Sequence, residues 1–230
     1  MMVQSPLFSN AIKEVNMNQN EAQQHLETSK LMGVSFLPVG NSIPDNKTLE
    51  DIRIDHDNNC PHCTTTTGFT QTVFGVGNSN ADLMFIGEAP GAEEDVQGIP
   101  FVGAAGQKLN QIIEAIGMNR EDVYIANVLK SRPPNNRTPL PTEVAACGPY
   151  LQQQIDCIQP LVIVTLGSPA TKYILQTETG ITKLRGSWGD YKGIPVMPTY
   201  HPAYLLRNYT KETRQEVWSD IKQVQEKLIS

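Results

Sequence analysis

Between positions 87 and 106 the chain reads GEAPGAEEDVQGIPFVGAAG. Three carboxylates, Glu93, Glu94 and Asp95, follow a Gly/Pro turn there, and Phe101 is an aromatic inside what reads as a loop. A solvated acidic loop explains the charges. It does not explain the recurrence of Gly87, Gly91, Gly98, Gly103 and Gly106, nor the aromatic. A phosphate-cradling loop is a second reading, but the string fits neither GxxxxGK[ST] nor GxGxxG, and the carboxylates would repel phosphate. Two more sites carry chemistry. Asn127 closes an apolar run, and its side-chain amide offers one acceptor and two donors. His201 opens HPAYLLRN after another apolar run. A lone Asn at a strand end is more often a cap, and a lone His more often a structural hydrogen-bonder. Cys60-x-x-Cys63, with Cys147 and Cys157 further on, reads first as a metal, cluster or redox pair rather than a disulfide scaffold.

These residues need elements to position them. DLMFIG (82–87), VYIANVL (123–129), LVIVTLG (161–167) and IPVMPTY (194–200) are short apolar runs, the signal of strands buried on both faces. Leu109, Ile112, Ile113 and Ile116 recur at helical spacing and end at Gly117. Val144, Cys147, Leu151, Ile155 and Ile158 stripe a second helix, expected to bend at Pro149. A short helix is expected at 169–176, and Val217, Ile221, Val224 and Leu228 stripe a last one. Strand alternating with helix predicts an α/β fold: a mostly parallel four-stranded sheet flanked by helices on both faces. Ligands of such sheets bind at the carboxyl ends of the strands. The loops there are 87–95, 130–138, 167–170 and 201–208, where most of the unusual polar residues fall.

Composition bounds the rest. The 230 residues hold 39% hydrophobic residues, enough for one core. Lys plus Arg is 18 and Asp plus Glu 24, a formal charge of −6, which excludes a generally basic coat but not a local basic face. Residues 1–59 carry 4 basic and 8 acidic residues and are rich in Asn, Gln and Ser. They read as a poorly ordered or loosely packed arm, with a short helix possible near 11–31, ahead of a domain over 60–230. No apolar run reaches the ~18 residues of a membrane span. The opening lacks a basic stretch followed by an apolar one, so a cytoplasmic protein is expected.

The three long motifs, GEAPGAEEDVQGIPFVGAAG, NVLKSRPPNNRTPLP (127–141) and HPAYLLRN (201–208), resemble in order the signatures of the family 4 uracil-DNA glycosylases, the iron–sulfur-containing class. The resemblance runs from about Cys60 to the C-terminus. It implies a monomeric DNA-repair enzyme that rotates uracil out of DNA and hydrolyses its N-glycosidic bond, leaving an abasic site. Asn127 would then read uracil's N3–H and flanking carbonyl, a pattern that cytosine reverses. Phe101 would stack on the base, with Ala89 beside it where other classes of the superfamily carry a water-activating Asp. His201 would donate to uracil O2 as the ring leaves as an anion. Glu88 and Glu94 are the carboxylates that could stabilise the sugar cation or orient water, and Asn136 joins the site by position. Leu205, Leu206 and Arg207 are where a wedge for the vacated stack would sit, though the leucines serve equally as a helix core face. Basic residues at 183–214 (Lys183, Arg185, Lys192, Arg207, Lys211, Arg214), with Lys130, Arg132 and Arg137, could form a phosphate-docking rim. Flipping costs a few kcal/mol and is cheapest for mispaired bases, so uracil opposite guanine should be favoured.

The same resemblance implies a [4Fe–4S] cluster on four cysteines. Cys60, Cys63 and Cys147 match, but the remaining position holds Ser131. A serine oxygen, a water-bound or missing iron, a zinc site and no metal at all are the alternatives, and Cys157 would need a different geometry to substitute. Three rival functions stay open: a glycosylase of the same superfamily with another deaminated-base preference, a nucleotide-binding module without catalysis, and a redox protein built on Cys60 and Cys63.

Overall fold

A computed structural model describes residues 47–229, so the helix expected near 11–31 and the first 46 residues of the arm lie outside the described residues. The sheet forms from the four apolar runs. β2 (Leu83–Gly87), β3 (Tyr124–Asn127), β4 (Val162–Leu166) and β6 (Ile194–Thr199) lie parallel in the order β3-β2-β4-β6. Two antiparallel edge strands extend it to six: β1 (Val76–Gly77) beside β3 and β5 (Gly189–Tyr191) beside β6. The expected four-stranded sheet is corrected to this extent. The edge strands are only 2 and 3 residues long and partly exposed, so they carry no apolar run to announce them.

Every residue of β2, β3 and β4 is buried. Alternation then divides the core. Leu83, Phe85, Ile125 and Val164 face one side and pack with Leu109 and Ile113 of α3 (Ala104–Ala115) and Val217, Ile221 and Val224 of α8 (Lys211–Ile229). Met84, Ile86, Ala126 and Ile163 face the other, against Leu151 and Ile155 of α4 (Pro141–Ile158) and Ile174 of α5 (Ser168–Leu175). The expected helices on both faces therefore form, and α4 continues through Pro149. Among the described residues no helix is long and apolar enough to cross a membrane.

A third cluster changes the reading of the arm. Residues Leu49–Asn59 form a helix, α1, whose Thr48–Asp51 capping box satisfies its first amides. Ile52 and His56, one turn apart, bury the same helical face among Phe74, Leu129, Cys147 and Tyr150. The end of the segment expected to be loose, residues 49–59, is thus part of the packed structure. One of the two side chains that dock it is a histidine, which hydrophobic periodicity does not count.

Two further short helices matter for the site. α2 (Ala92–Gln97) follows β2, and α7 (Pro202–Arg207) follows β6; α6 (Ile181–Leu184) lies between α5 and β5. The chain crosses from β3 over β2 to β4, so the strand order reverses beside β2, and a crevice opens there at the carboxyl ends. Gly106 shows how tightly that end is built. A β-carbon on it would fall on the carbonyl oxygen of Phe101. Glycine to alanine in a helix gains about 1 kcal/mol in propensity, whereas forcing atoms into filled space costs about 1–3 kcal/mol. Gly106→Ala should therefore lower unfolding free energy, by up to about 2 kcal/mol, in urea titrations, despite the better helix former.

Candidate active site and metal centre

The crevice is a cavity of about 480 Å³, lined among others by Glu88, Ala89, Glu94, Phe101, Asn127, Asn136, Arg137, His201 and Arg207. All four loops expected at the sheet's carboxyl end contribute to it.

Phe101 is buried and held in the left-handed backbone region, φ 54°. A phenylalanine there is strained, and such strain persists only where the surroundings impose it. Glu94 does so. Its Oε1 accepts from the amides of Val102 at 3.0 Å and Gly103 at 3.1 Å, and its Oε2 from Gly91 at 3.1 Å. Both oxygens are therefore committed to the loop that presents Phe101. The ring stands 5.6 Å from the His201 ring, tilted by 32°. Gly87 makes room beneath it. A β-carbon there would reach within 2.6 Å of Phe101 Cζ and would also strike Asn127 Oδ1.

Asn127 ends β3, and its Oδ1 is buried with no hydrogen-bond partner among the described residues. An unmet acceptor of this kind costs about 1–3 kcal/mol. Glu88, at the end of β2, is half-buried, and burial raises its carboxyl above the usual carboxylate range. His201 caps α7. Its Nδ1 accepts from the amide of Ala203 at 3.1 Å, which leaves the proton on Nε2. Burial, with the nearby charge of Arg207, lowers its pKa to about 4. The imidazole is neutral at pH 7 and carries a single ring N–H.

The remaining expected residues separate. Asn136 lines the cavity, but its Oδ1 accepts from Arg132 Nε at 2.7 Å, so the pair clasps the 130–138 loop. Arg137 forms a two-pronged pair with Glu143 at 2.6 and 2.8 Å. Leu205 is buried in the core, while Leu206 is 45% exposed beside Arg207. The basic rim is smaller than expected. Arg185 is tied to buried Asp220, Lys192 pairs with Asp156, and Lys130 is fully buried. Lys130 Nζ donates to the Asn127 carbonyl at 2.8 Å and to Gln154 Oε1 at 2.5 Å, and burial pulls its pKa down to about 7. Asp95 faces inward too, accepting from the Thr70 amide at 2.7 Å.

Away from the cavity the three matching cysteines meet. Cys147 Sγ lies 3.5 Å from Cys60 Sγ and 3.3 Å from Cys63 Sγ, and Ser131 Oγ lies 3.4 Å from Cys63 Sγ. His56 completes the group: one donor atom from each of His56, Cys60, Cys63 and Cys147 lies within 4.8 Å of the others. This donor set fits a metal ion or cluster, since thiolates and imidazole suit zinc and iron–sulfur centres. Cys157 sits elsewhere, its Sγ 3.4 Å from the Lys47 carbonyl. Sequence reasoning missed His56. The signal was there, His56 one helical turn ahead of Cys60-x-x-Cys63, but inside a segment read as arm.

Comparison with known proteins identifies the family. The family described as the uracil DNA glycosylase superfamily matches residues 74–222. A type-4 uracil-DNA glycosylase of Thermotoga maritima is 47% identical over 175 residues, covering 75% of this chain and 91% of the relative. One from Archaeoglobus fulgidus is 44% identical over 190 residues, covering 78% and 93%. A type-5 uracil-DNA glycosylase of Pyrobaculum aerophilum is more distant, 31% identical over 161 residues, covering 61% of this chain and 71% of the relative.

The depressed His201 pKa has a measurable consequence. An unfolded histidine binds its proton near 6.5, the folded one near 4, so the unfolded state holds more protons between those values. Stability from this group is present above pH 6.5 and lost as pH falls towards 4, by up to about 3 kcal/mol. Urea unfolding of wild type and His201→Asn from pH 7 to 4 should show the wild type losing more stability than the variant over that window.

Proposed function

The chain belongs to the uracil DNA glycosylase superfamily, and from that membership we propose that it removes uracil from DNA by hydrolysing the N-glycosidic bond, as a base-excision repair enzyme. The observation that carries the reading is the orphaned Asn127 Oδ1 in the same cavity as Phe101 and a neutral His201. Uracil supplies what the cavity lacks. Its N3–H donates to Asn127 Oδ1, and its O4 accepts from Asn127 Nδ2. Phe101 stacks on the ring and Gly87 leaves it space.

The C1′–N1 bond then breaks with its electron pair going to the base, leaving an oxocarbenium-like sugar. His201 Nε2–H donates to uracil O2 where negative charge develops. A neutral imidazole suits this role: it donates without first having to acquire a proton, and its Nδ1 is already fixed by Ala203. Water adds at C1′, and its proton passes to a carboxylate. We assign that carboxylate to Glu88 rather than Glu94, because both Glu94 oxygens are engaged by backbone amides. Ala89 borders the base. Leu206 enters the vacated stack, and Arg207, Arg132 and Arg137 meet phosphates at the rim, Arg132 and Arg137 while keeping their partners Asn136 and Glu143.

The cofactor we propose is a [4Fe–4S] cluster on Cys60, Cys63 and Cys147, a covalent tie between the start of the domain and α4 that supplies structure. One observation favours a second reading. Sulfur separations of 3.3 and 3.5 Å lie close to the edge of ~3.8 Å expected for a tetrahedral ion with ~2.3 Å metal–sulfur bonds. A single zinc ion would meet that spacing. The enzyme acts as a monomer, and we place it in the cytoplasm, where its four thiols stay reduced.

The test is alkaline cleavage of a labelled oligonucleotide. Wild type should cut at uracil and faster opposite guanine than adenine. Asn127→Asp should lose uracil cleavage, and His201→Asn should fall about 10²–10³-fold, by analogy with removing an oxyanion donor. Unchanged rates in either variant would remove the base from this cavity.

A further inference from the structure

We infer that His56, through Nε2, is the fourth ligand of the metal centre, and that Ser131 is not. The inference rests on the cofactor reading above for the identity of the metal, but its geometry is independent of it.

Four observations converge. The His56 ring is completely buried, and its Nε2 has no hydrogen-bond partner among the described residues. A buried imidazole nitrogen left unmet is costly, and here the groups within reach are thiols that would themselves be metal ligands. The other ring nitrogen is already engaged. Nδ1 lies 2.9 Å from Asp57 Oδ1, an oxygen that also accepts from Thr72 Oγ1 at 2.9 Å. A carboxylate that takes the Nδ1 proton leaves the Nε2 lone pair free, which is the arrangement that orients metal-binding histidines. The ring is also clamped. Tyr150 meets it edge-on at 4.9 Å and Phe74 at 6.1 Å, so Nε2 stays directed at the sulfurs. Finally, the backbone sets the spacing. Cys60 caps α1, its amide bonded to the His56 carbonyl, which stacks the two donors one turn apart.

Ser131 fits a different role. Its hydroxyl sits 3.4 Å from Cys63 Sγ, hydrogen-bonding distance for sulfur. An alcohol must lose a proton of far higher pKa than a thiol or imidazolium to act as an anionic ligand, and oxygen is a harder donor than iron–sulfur centres take. Ser131 therefore contacts a ligand sulfur without being a ligand. Exchanging one thiolate for a neutral imidazole makes the site less negative by one charge, and histidine ligation of this kind raises a cluster's potential.

The test uses the full chain, purified without oxygen, as wild type, His56→Cys, His56→Ala, Ser131→Ala and wild type labelled with ¹⁵N-histidine. The expected wild type holds four iron and four labile sulfide per chain. Its reduced cluster should show nitrogen hyperfine coupling that changes with the ¹⁵N label. His56→Cys should keep the iron, lose that coupling and move the reduction potential lower, which separates ligation from a packing role. Ser131→Ala should match wild type in iron, coupling and potential. Absent nitrogen coupling, an unmoved potential in His56→Cys, or iron loss in Ser131→Ala overturns the inference. Zinc in place of iron and sulfide would overturn the cluster reading alone. In that case His56→Ala should weaken zinc binding by more than the ~10–100-fold that losing an outer partner of a ligand costs, while Ser131→Ala leaves it intact; the reverse result overturns His56.

Discussion

Glu94 accepts the amides of Gly91, Val102 and Gly103, and much of the active site depends on those three hydrogen bonds. They close the loop between β2 and α3 on itself and hold Phe101 in a backbone conformation that phenylalanine adopts only under constraint. With Phe101 fixed, Gly106 must pass beneath its carbonyl and Gly87 beneath its ring, so both positions lose the space for a side chain. A flat aromatic surface is thereby set against the end of the sheet before any base arrives. A more mobile ring would have to be ordered at each binding event, at an entropic cost taken from affinity. The three hydrogen bonds of Glu94 give the Phe101 loop its rigidity.

The candidate metal site and Asn127 are joined through one short stretch. Asn127 ends β3, Lys130 lies three residues on, and Ser131 touches Cys63. Lys130 is the link. Its ammonium is fully buried, grips the Asn127 carbonyl and Gln154, and lies 5.6 Å from the Phe74 ring that also flanks His56. Where the site's cysteines hold a metal as thiolates, as proposed, their negative charge offsets the buried Lys130 cation, and Lys130 in turn grips the backbone from which Asn127 projects.

How much of this could be read from sequence follows from what each element buries. The four parallel strands were legible because both faces are covered and their residues are apolar without interruption. The edge strands were not, since two or three residues beside solvent carry no pattern. The carboxyl-end loops stood out because Phe101, Asn127 and His201 fall within three motifs that resemble one family in order, whereas each residue taken singly had a bland explanation. What stayed hidden depended on partners distant in sequence. Arg185 and Lys192 count as rim charges until Asp220 and Asp156 are seen to hold them. Leu205 and Leu206 are adjacent and alike, and only the helical rotation of about 100° between neighbours in α7 sends one inward. His56 was the largest omission, because a polar residue on the core face of a helix breaks the very periodicity used to find the helix.

In the proposed reading, selectivity in this cavity rests on a deficit. An amide oxygen buried without a donor raises the free energy of the empty enzyme by about 1–3 kcal/mol, and only a ligand with an N–H at the right place relieves it. Uracil does. Cytosine presents a lone pair at N3, which leaves the oxygen unmet and sets two acceptors against each other. Sites that need a polar partner reject the analogue lacking it far more strongly than apolar pockets reject a change of size. Asn127 can impose that test only while it cannot turn aside; its Oδ1 lies against Gly87, where a β-carbon would strike it, and Lys130 holds its backbone carbonyl. In that reading, rejection of cytosine is a property of the rigid surroundings as much as of the amide, so changes that loosen those surroundings should erode this discrimination before they abolish chemistry.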